Sequence, residues 1–317
     1  MDAFRVIFPG SLTTVQDRGR FRFLDRGVPP SGALDPFAYR VANLLAGNTG
    51  GAAVLEITVI GPVLEVLCDA ADIALAGADM ELTVNRQAVP AWRTLRVHRG
   101  DLVRVGRAKS GCRGYLAVTG GIDVPVVMGS RSTCLKAGIG GVGGRMLRKG
   151  DILRRLEGEP LRHPRVLPPE RIPLYRAEIV LRAVPGPQEE AFGKGLGMFF
   201  DAPYDITPEA DRMGYRLQGP PVHHVEGVPQ SIISEPTVPG NVQLPADGRP
   251  IILLVEQTTG GYTKIATVIS PDIPKIAQAI PGNRVRFRKV TLEEAHRIVR
   301  EEALEMRELE ALLTAGR

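Results

Sequence analysis

Three consecutive segments decide the fold: IILLV at residues 251–255, EQTTGGYTK at 256–264 and IATVI at 265–269. The two apolar runs are typical of buried β-strands. The polar segment between them predicts a bend that carries an amide, hydroxyls, bare backbone amides, a phenol and an ammonium group. Such groups can bind an anionic or amide-bearing small molecule. An ordinary glycine-rich turn would have the same composition, so this stretch alone leaves both interpretations open.

The same pattern occurs 149 residues upstream, where Gly111 corresponds to Gly260, Ala117 to Ala266 and Asp123 to Asp272. A repeat at this distance predicts two similar domains rather than a solenoid of short units. Chance similarity between two strand-turn-strand units would also produce it. With five prolines from Pro160 to Pro173 taken as a linker, the predicted boundaries are 1–160, a Pro-rich linker at 161–176, and 177–317.

The composition predicts a mainly β protein with few helices. The 317 residues include 36 glycines and 26 prolines, which favours short strands and turns. Asp35 as N-cap predicts a helix over residues 37–46, and a capping box of Thr291 with Glu294 predicts a C-terminal helix. We expect the apolar stripe of that C-terminal helix to dock on the second domain, although it could equally receive a partner.

Charge and cysteine usage narrow the environment. The net charge of +5 is dispersed, without the basic runs and aromatic content of a nucleic-acid-binding surface. Cys68, Cys112 and Cys134 form no CxxC pair, which favours a reducing cytoplasm. The N-terminus lacks a signal-peptide pattern, and no apolar run approaches 18 residues. We therefore expect a cytoplasmic protein with no membrane partner.

Several familiar chemistries are excluded by spacing. No GxxxxGK[ST] loop and no GxSxG elbow occurs. Gly138, Gly140 and Gly143 match GxGxxG but lack the flanking strand and helix of a dinucleotide site. The adjacent His223 and His224 would point to opposite faces of a strand, so no metal site is predicted.

What remains is a set of acidic, amide, hydroxyl and backbone groups that could bind a carboxylate and polarise an amide carbonyl. Its members are Glu235, Glu256, Gln257, Thr258, Thr259, Gly260 and Gly261, with Arg212 or Lys264 as the cation. A carboxylate base and a positioned oxyanion donor are the two contributions such a set can make. Ordinary structural roles stay open: Arg212 could form a salt bridge to Asp211 or Glu209, and Glu235 could cap the following turn.

Motifs spread over nearly the whole chain resemble one family. They are QDRGR (16–20), GVP (27–29), SGALD (31–35), ANLLAGN (42–48), LE (55–56), GP (61–62), YLAV (115–118), GGID (120–123), GSRST (129–133), PGPQ (185–188), DRMGYRL (211–217), SEP (234–236) and QTTGGY (257–262). The family is known as allophanate hydrolase subunit 2, the kinase-inhibitor antagonists, or the C-type subunit of 5-oxoprolinase. It is similar to part of the carboxyltransferase domain of urea carboxylase.

The resemblance implies a fold of two tandem cyclophilin-like β-barrels and a heteromer with a subunit-1/subunit-B protein and a third subunit. It implies ATP-dependent hydrolysis of the 5-oxoproline lactam to glutamate. The ATP site is not located by the sequence and could lie on a partner subunit. One alternative is biotin-dependent carboxyl transfer to a urea- or allophanate-type amide; biotin would then act in trans, because no Met-Lys-Met carrier motif is present. Another is a regulatory antagonist that sequesters a kinase-inhibitor partner.

Carried onto this chain, the resemblance implies two groups of site residues for a small anionic amide substrate. The catalytic group is Glu235, Gln257, Thr258, Thr259 and Lys264; the substrate-binding group is Arg212, Gly260, Gly261, Tyr262, Arg131 and Ser130. Two positions depart from the family pattern. Thr263 stands where proline is usual, and Val255-Glu256 stands where Asp-Arg is usual, so a role of that aspartate must move to Glu256 or be dropped.

Overall fold

The computed structural model describes residues 1–315 and is dominated by β-strands. The strands are β1 (Asp2–Phe8), β2 (Leu12–Gln16), β3 (Val54–Thr58), β4 (Val63–Val66), β5 (Ala70–Val84), β6 (Gln87–Val89), β7 (Leu95–His98), β8 (Leu102–Val118), β9 (Ile122–Asp123), β10 (Ile152–Arg155), β11 (Glu178–Pro185), β12 (Pro203–Ala210), β13 (Gly214–Gln218), β14 (Ser231–Pro236), β15 (Asn241–Leu244), β16 (Ile251–Leu253), β17 (Thr259–Val268) and β18 (Arg284–Lys289). The helices are α1 (Pro36–Leu45), α2 (Lys194–Asp201), α3 (Ile273–Ala277) and α4 (Leu292–Thr314). The mainly β fold expected from the sequence is confirmed.

The chain divides into two compact units. Unit 1 consists of Met1–Arg20, Ser31–Tyr175 and the end of the chain from Met306; unit 2 consists of Phe21–Pro30 and Arg176–Glu305. The boundaries predicted from the sequence differ most at residues 161–175, which were expected to be a linker. These residues belong to unit 1, because its strands bind their backbone: Arg96 donates to the carbonyl of Leu161, and the Ser110 hydroxyl donates to the carbonyl of Tyr175.

In unit 1 the sheet is organised around β8. Strands β3, β4 and β5 all pair with it in antiparallel fashion, and β5 follows it from Ile73–Val118 to Val84–Val103. The sheet then continues through β1, β10 and β9. One face covers an apolar cluster that includes Phe4, and a second cluster packs α1 against the other side.

In unit 2 seven strands form a closed ring. Their order is β11-β18-β12-β13-β16-β15-β17, and the pairing of β17 with β11 completes the circle. Strand β14 stays outside the ring: within residues 1–315 it pairs with β17 alone. Phe199 of α2 packs against Tyr204 and Phe287, so an aromatic cluster covers part of the ring.

The helix ends predicted from local sequence are confirmed. The Asp35 carboxylate accepts a hydrogen bond from the Ala38 amide at the start of α1. At the start of α4, the Thr291 amide donates to Glu294, and the Glu294 amide donates to the Thr291 hydroxyl. None of the helices within residues 1–315 is long and apolar enough to cross a bilayer.

The predicted docking of the whole α4 stripe on the second domain is wrong. Ala295 packs with Ile269 and Val290 of unit 2, as expected. Leu309 and Leu313, however, belong to the apolar cluster around α1 in unit 1. The helix is 23 residues long, so its apolar stripe is longer than one apolar cluster can cover.

Candidate functional site

The polar segment at 256–264 is less of a bend than the sequence suggested. The bend covers only Leu254 to Thr258, and Thr259 already begins strand β17. Tyr262 pairs with Ser231 of β14, and Lys264 pairs with Gln243 of β15. The glycines and the polar residues after Thr259 are therefore part of a ladder, and their side chains alternate between its two faces.

One face of this ladder carries an ion pair. The Lys264 Nζ lies 2.6 Å from the Glu235 Oε1 and also donates to the carbonyl of Pro236 at 3.2 Å. The Lys264 side chain is buried, whereas that of Glu235 remains 40% exposed. The hydrogen bond from Lys264 lowers the pKa of Glu235 below its ordinary value, so this carboxylate is ionised at neutral pH. Glu235 is therefore in its carboxylate form, and its exposed side can face a ligand.

Gln188 holds the ion pair in place. Its Oε1 accepts a hydrogen bond from the Lys264 amide at 3.0 Å, and its Nε2 donates to the Glu235 Oε1 at 3.4 Å. Gly186, in the same PGPQ motif, lies so close to Lys264 that a side chain there would overlap the Lys264 carbonyl. The motif thus acts as a clamp on β17, a role that its sequence did not reveal.

Gly260 forms the floor of this face. It is the cross-strand partner of Glu235, so the Glu235 side chain projects on the side where a Gly260 side chain would be. A Cβ at position 260 would overlap the Nε2 of Gln243, which reaches over it from β15. Gln243 was not among the predicted residues; the signal available for it was a glutamine inside the otherwise apolar end of a buried strand.

Arg212 and Glu256 form a second, buried pair. The Arg212 Nε lies 2.6 Å from the Glu256 Oε1, and each side chain is 4% exposed. Within residues 1–315, the salt bridges that the sequence left open for Arg212 do not form. Glu209 pairs with Arg216, and Asp211 accepts backbone amides of its own turn. Arg212 thus has a charge partner within the protein. Its role as a ligand of an anionic substrate stays a prediction.

The remaining predicted residues of unit 2 lie in the bend or at the start of β17. The carbonyl of Thr258 accepts a hydrogen bond from the Thr237 amide, which joins the bend to the end of β14. Gln257 and Gly261 are half-buried, whereas Thr259 and Tyr262 are exposed. Their exposed surface allows contact with a ligand, and their predicted roles stay predictions.

The unusual Thr263 has a specific partner. Its hydroxyl lies 2.7 Å from the His224 Nε2, and the His224 ring packs 4.7 Å from the ring of Phe192. Burial lowers the pKa of His224, with His223 contributing, so the ring is neutral at neutral pH. A proline at 263 could not make this contact.

Ser130 and Arg131 lie in unit 1, where the Asp17 carboxylate anchors them. The Ser130 hydroxyl donates to Asp17 Oδ1 at 2.5 Å, and the Arg131 amide donates to Asp17 Oδ2 at 2.6 Å. The Ser132 hydroxyl and the Gly19 amide donate to the same carboxylate. Four donors on one carboxylate fix the start of the glycine-rich segment, and the substrate-binding role of Ser130 and Arg131 stays a prediction.

Comparison with known proteins fits this arrangement. A family model described as carboxyltransferase domain, subdomain A and B, matches residues 26–289, which is most of the chain. The chain belongs to the carboxyltransferase domain family.

Two bacterial proteins resemble this carboxyltransferase domain chain along nearly their whole length. It is 41% identical over 294 residues to a protein of Escherichia coli named as the C-type subunit of 5-oxoprolinase, with 92% of each chain covered. It is 36% identical to a protein of the same name from Haemophilus influenzae, again with 92% of each covered. Both names are those of a single subunit, and neither relative extends much beyond the matched region.

A solved structure shares the fold of this carboxyltransferase domain. The urea amidolyase of K. lactis superposes with a TM-score of 0.91 at 29% identity over 97% of this chain. The match takes up only 20% of the urea amidolyase chain. The resemblance inferred from the sequence motifs, including the relation to urea carboxylase, is therefore confirmed.

The side chains that commonly bind metals are not clustered within the described residues. No group of three or more His, Cys, Asp or Glu side chains in residues 1–315 could hold a metal ion. Cys68, Cys112 and Cys134 are buried, and none of them forms a disulfide bond within residues 1–315. Lys264, the cation of the site, is paired with Glu235.

Proposed function

We propose that this chain is a subunit of a heteromeric, ATP-dependent 5-oxoprolinase, which hydrolyses the 5-oxoproline lactam to glutamate. The observation that supports it is the Glu235–Lys264 pair beside Gly260, in a chain whose relatives along nearly their whole length are named as subunits of 5-oxoprolinase. Amide hydrolysis can use a carboxylate as proton acceptor and a cation beside the developing negative charge, and this face has both groups.

The chemistry asked of these residues is the addition of water to an unstrained amide. Glu235, ionised at neutral pH, accepts a proton from the attacking water as the new carbon–oxygen bond forms. The Lys264 ammonium lies beside it and stabilises negative charge that develops on the lactam oxygen. The carbon–nitrogen bond then breaks, and the departing nitrogen takes up a proton to become the amine of glutamate.

ATP and the other subunits complete the proposal. No step at Glu235 or Lys264 is assigned to ATP, which we place on a partner subunit. The partners are a subunit-B-type protein and a third subunit, consistent with the subunit names of the relatives. We propose the cytoplasm as the location, which suits three cysteines that form no disulfide bond within the described residues.

The second candidate is biotin-dependent carboxyl transfer to a urea-type amide. The description of the matching family model and the close superposition on a urea amidolyase favour it. In that reaction the same face would bind the amide acceptor, and a biotin carrier would have to come from another chain.

The deciding experiment is ATP-dependent glutamate release from 5-oxoproline by this chain co-purified with both partner subunits. We expect turnover that disappears when this chain is omitted, and that is lost in Thr259→Val without loss of assembly. Activity that requires a biotin carrier and stops when avidin is added would instead establish carboxyl transfer. A tight complex without either activity would contradict both and favour sequestration of the partner.

A further inference from the structure

Gln243 has a polar atom that the fold leaves without a partner. Only 5% of the residue is exposed, and its Nε2 has no hydrogen-bond partner in the part of the chain that the structure describes. Buried donors are nearly always paired, because an unpaired one loses its hydrogen bonds to water and gains nothing in return. The position therefore calls for a reason other than folding.

Its place on the sheet supplies one. Gln243 and Lys264 are cross-strand partners, and Lys264 follows Gly260 by four positions along β17, so their side-chain positions share one face. The Gln243 amide extends along this face to Gly260, where a Cβ would overlap it. The unpaired Nε2 of Gln243, the Glu235 carboxylate and the Lys264 ammonium thus lie on one face, which also holds a residue without a side chain, Gly260.

A purely structural role would not need this arrangement. An apolar side chain of similar size at position 243 would pack against β17 without burying an unpaired donor. It would also leave no requirement for glycine at position 260.

We infer that the side-chain amide of Gln243 recognises the amide group of the substrate, and that the substrate class is a cis amide such as a lactam or a urea. The inference rests on the proposed placement of the reaction at Glu235 and Lys264. A primary amide offers an N–H donor and a carbonyl acceptor side by side. In a lactam or a urea, an N–H and the carbonyl also lie on one side, so the two groups can form a pair of antiparallel hydrogen bonds. An open-chain trans amide presents them on opposite sides and can form only one.

The recognition step needs only local movement. The Gln243 amide turns about its last side-chain torsions above bare Gly260 to face a ligand that enters beside the exposed side of Glu235. The carbonyl oxygen of the ligand amide then accepts the hydrogen bond that Nε2 lacks, and the ligand N–H donates to Oε1. The amide carbon is thereby held next to the carboxylate that accepts the proton.

The test compares two ligands and two proteins. Calorimetric titration of the full-length chain, co-purified with its partner subunits, would measure binding of 5-oxoproline and of N-methyl-5-oxoproline to the wild type and to Gln243→Met. The N-methyl compound lacks the donor, so we expect the wild type to bind it about 3- to 10-fold more weakly, the value of one neutral hydrogen bond. In Gln243→Met this discrimination should vanish.

A matched control separates recognition from burial. Tyr204 also has a buried hydroxyl with no partner among residues 1–315, and it lies on β12, which pairs with β13 and β18. Tyr204→Phe and Gln243→Met both remove a buried unpaired group, so both should keep or raise the unfolding temperature. Only Gln243→Met should change ligand discrimination.

Each outcome bears on the inference. Equal binding of the two lactams by the wild type, or discrimination that persists in Gln243→Met, would overturn it. If 5-oxoproline does not bind, urea is titrated instead: binding that is lost in Gln243→Met supports cis-amide recognition, and no binding of either probe overturns it. Discrimination that depends on Gln243 without ATP-dependent turnover would support the inference and contradict the proposed 5-oxoprolinase activity.

Discussion

The two copies of the repeat treat the same segment differently. In unit 1 residues 102–118 form one unbroken strand, β8, whereas the corresponding residues 251–267 of unit 2 are divided into β16, a bend and most of β17. The partners explain the difference: the 15-residue β5 accompanies β8 along most of its length, while the four-residue β15 must serve both β16 and β17. With a short partner strand, residues 254–258 lie outside any strand, and this is where the polar groups of the candidate site begin.

The bend also changes the position of charge. Arg107 of β8 is exposed, whereas its counterpart Glu256 turns inward and pairs with Arg212. An interrupted ladder, rather than a new domain, thus distinguishes the copy that carries the Glu235–Lys264 pair from the other copy.

The largest expected effect is on catalysis and is confined to the interrupted copy. Glu235→Gln removes the proton acceptor, so we expect kcat to fall by roughly 10²–10⁴-fold in the glutamate-release assay. The matched control is Glu65→Gln on β4, a strand that pairs with β8 as β14 pairs with β17. This substitution alters an ion pair between Glu65 and Arg5 of β1. Its kcat should equal that of the wild type, and an equal loss in both variants would refute the site assignment.

The next effect concerns the buried charge at the bend. Arg212→Met leaves Glu256 buried without this partner and should lower the free energy of unfolding by about 3–5 kcal/mol in urea denaturation. The double variant Arg212→Met/Glu256→Leu should recover most of that loss. Arg107→Met at the exposed counterpart should change stability by no more than about 0.5 kcal/mol. If Arg212→Met instead keeps its stability and raises KM, Arg212 binds substrate, as the sequence predicted.

A third comparison uses the aspartates that close each copy. Asp272 is fully buried and pairs with Arg182 and Lys275, whereas Asp123 is 32% exposed and lies 4.0 Å from Arg131. Burial alone would raise the pKa of Asp272, but the hydrogen bonds from Arg182 and Lys275 outweigh it, and the net pKa lies below the ordinary 3.8. The stability it contributes is thus fully present above pH 3.8 and is lost as the pH falls through its lower native pKa.

Asp272→Asn should therefore cost several kcal/mol at pH 7, about 3–5 by analogy with broken buried pairs, and the difference from wild type should shrink below pH 3.8. Asp123→Asn should cost about 1 kcal/mol or less. Denaturation midpoints measured from pH 7 to pH 3 would check both, and identical pH profiles for the two variants would contradict the assignment.

The smallest expected effects distinguish the paired glycines. Gly111 has φ of +79°, so Gly111→Ala should lower stability by about 1 kcal/mol and leave KM unchanged. Gly260 is not in the left-handed region, and an alanine there would displace the flexible end of Gln243. Gly260→Ala should thus raise KM with little change in the unfolding temperature. The reverse pattern would show that Gly260 serves the fold and Gly111 the site.

Local chemistry was enough to predict part of this molecule. The cap formed by Asp35 and the capping box of Thr291 with Glu294 depend on neighbours within three residues, and both were found where expected. The repeat likewise exposed the correspondence between β8 and the segment that contains β16 and β17.

What depends on distant pairing was not predictable. Thr259 to Lys264 contain two glycines and several polar residues, and only β14 and β15 make them part of a strand. The clamp by Gln188 and the reach of Gln243 over Gly260 join positions far apart in the sequence. The structural role left open for Arg212 was a salt bridge to a sequence neighbour, whereas its observed partner is 44 residues away.

Strand β14, which lies outside the seven-stranded ring, has a consequence for the lifetime of the site. It is held on one side only, and its ladder with β17 shifts register between Ser231 and Glu235. Amide hydrogens of β14 should therefore exchange with solvent faster than those of the ring, since this strand can open while the ring stays closed. Each such opening would carry Glu235 away from Lys264. The fraction of the protein that has an intact site would then depend on the free energy of opening this edge strand rather than on that of global unfolding.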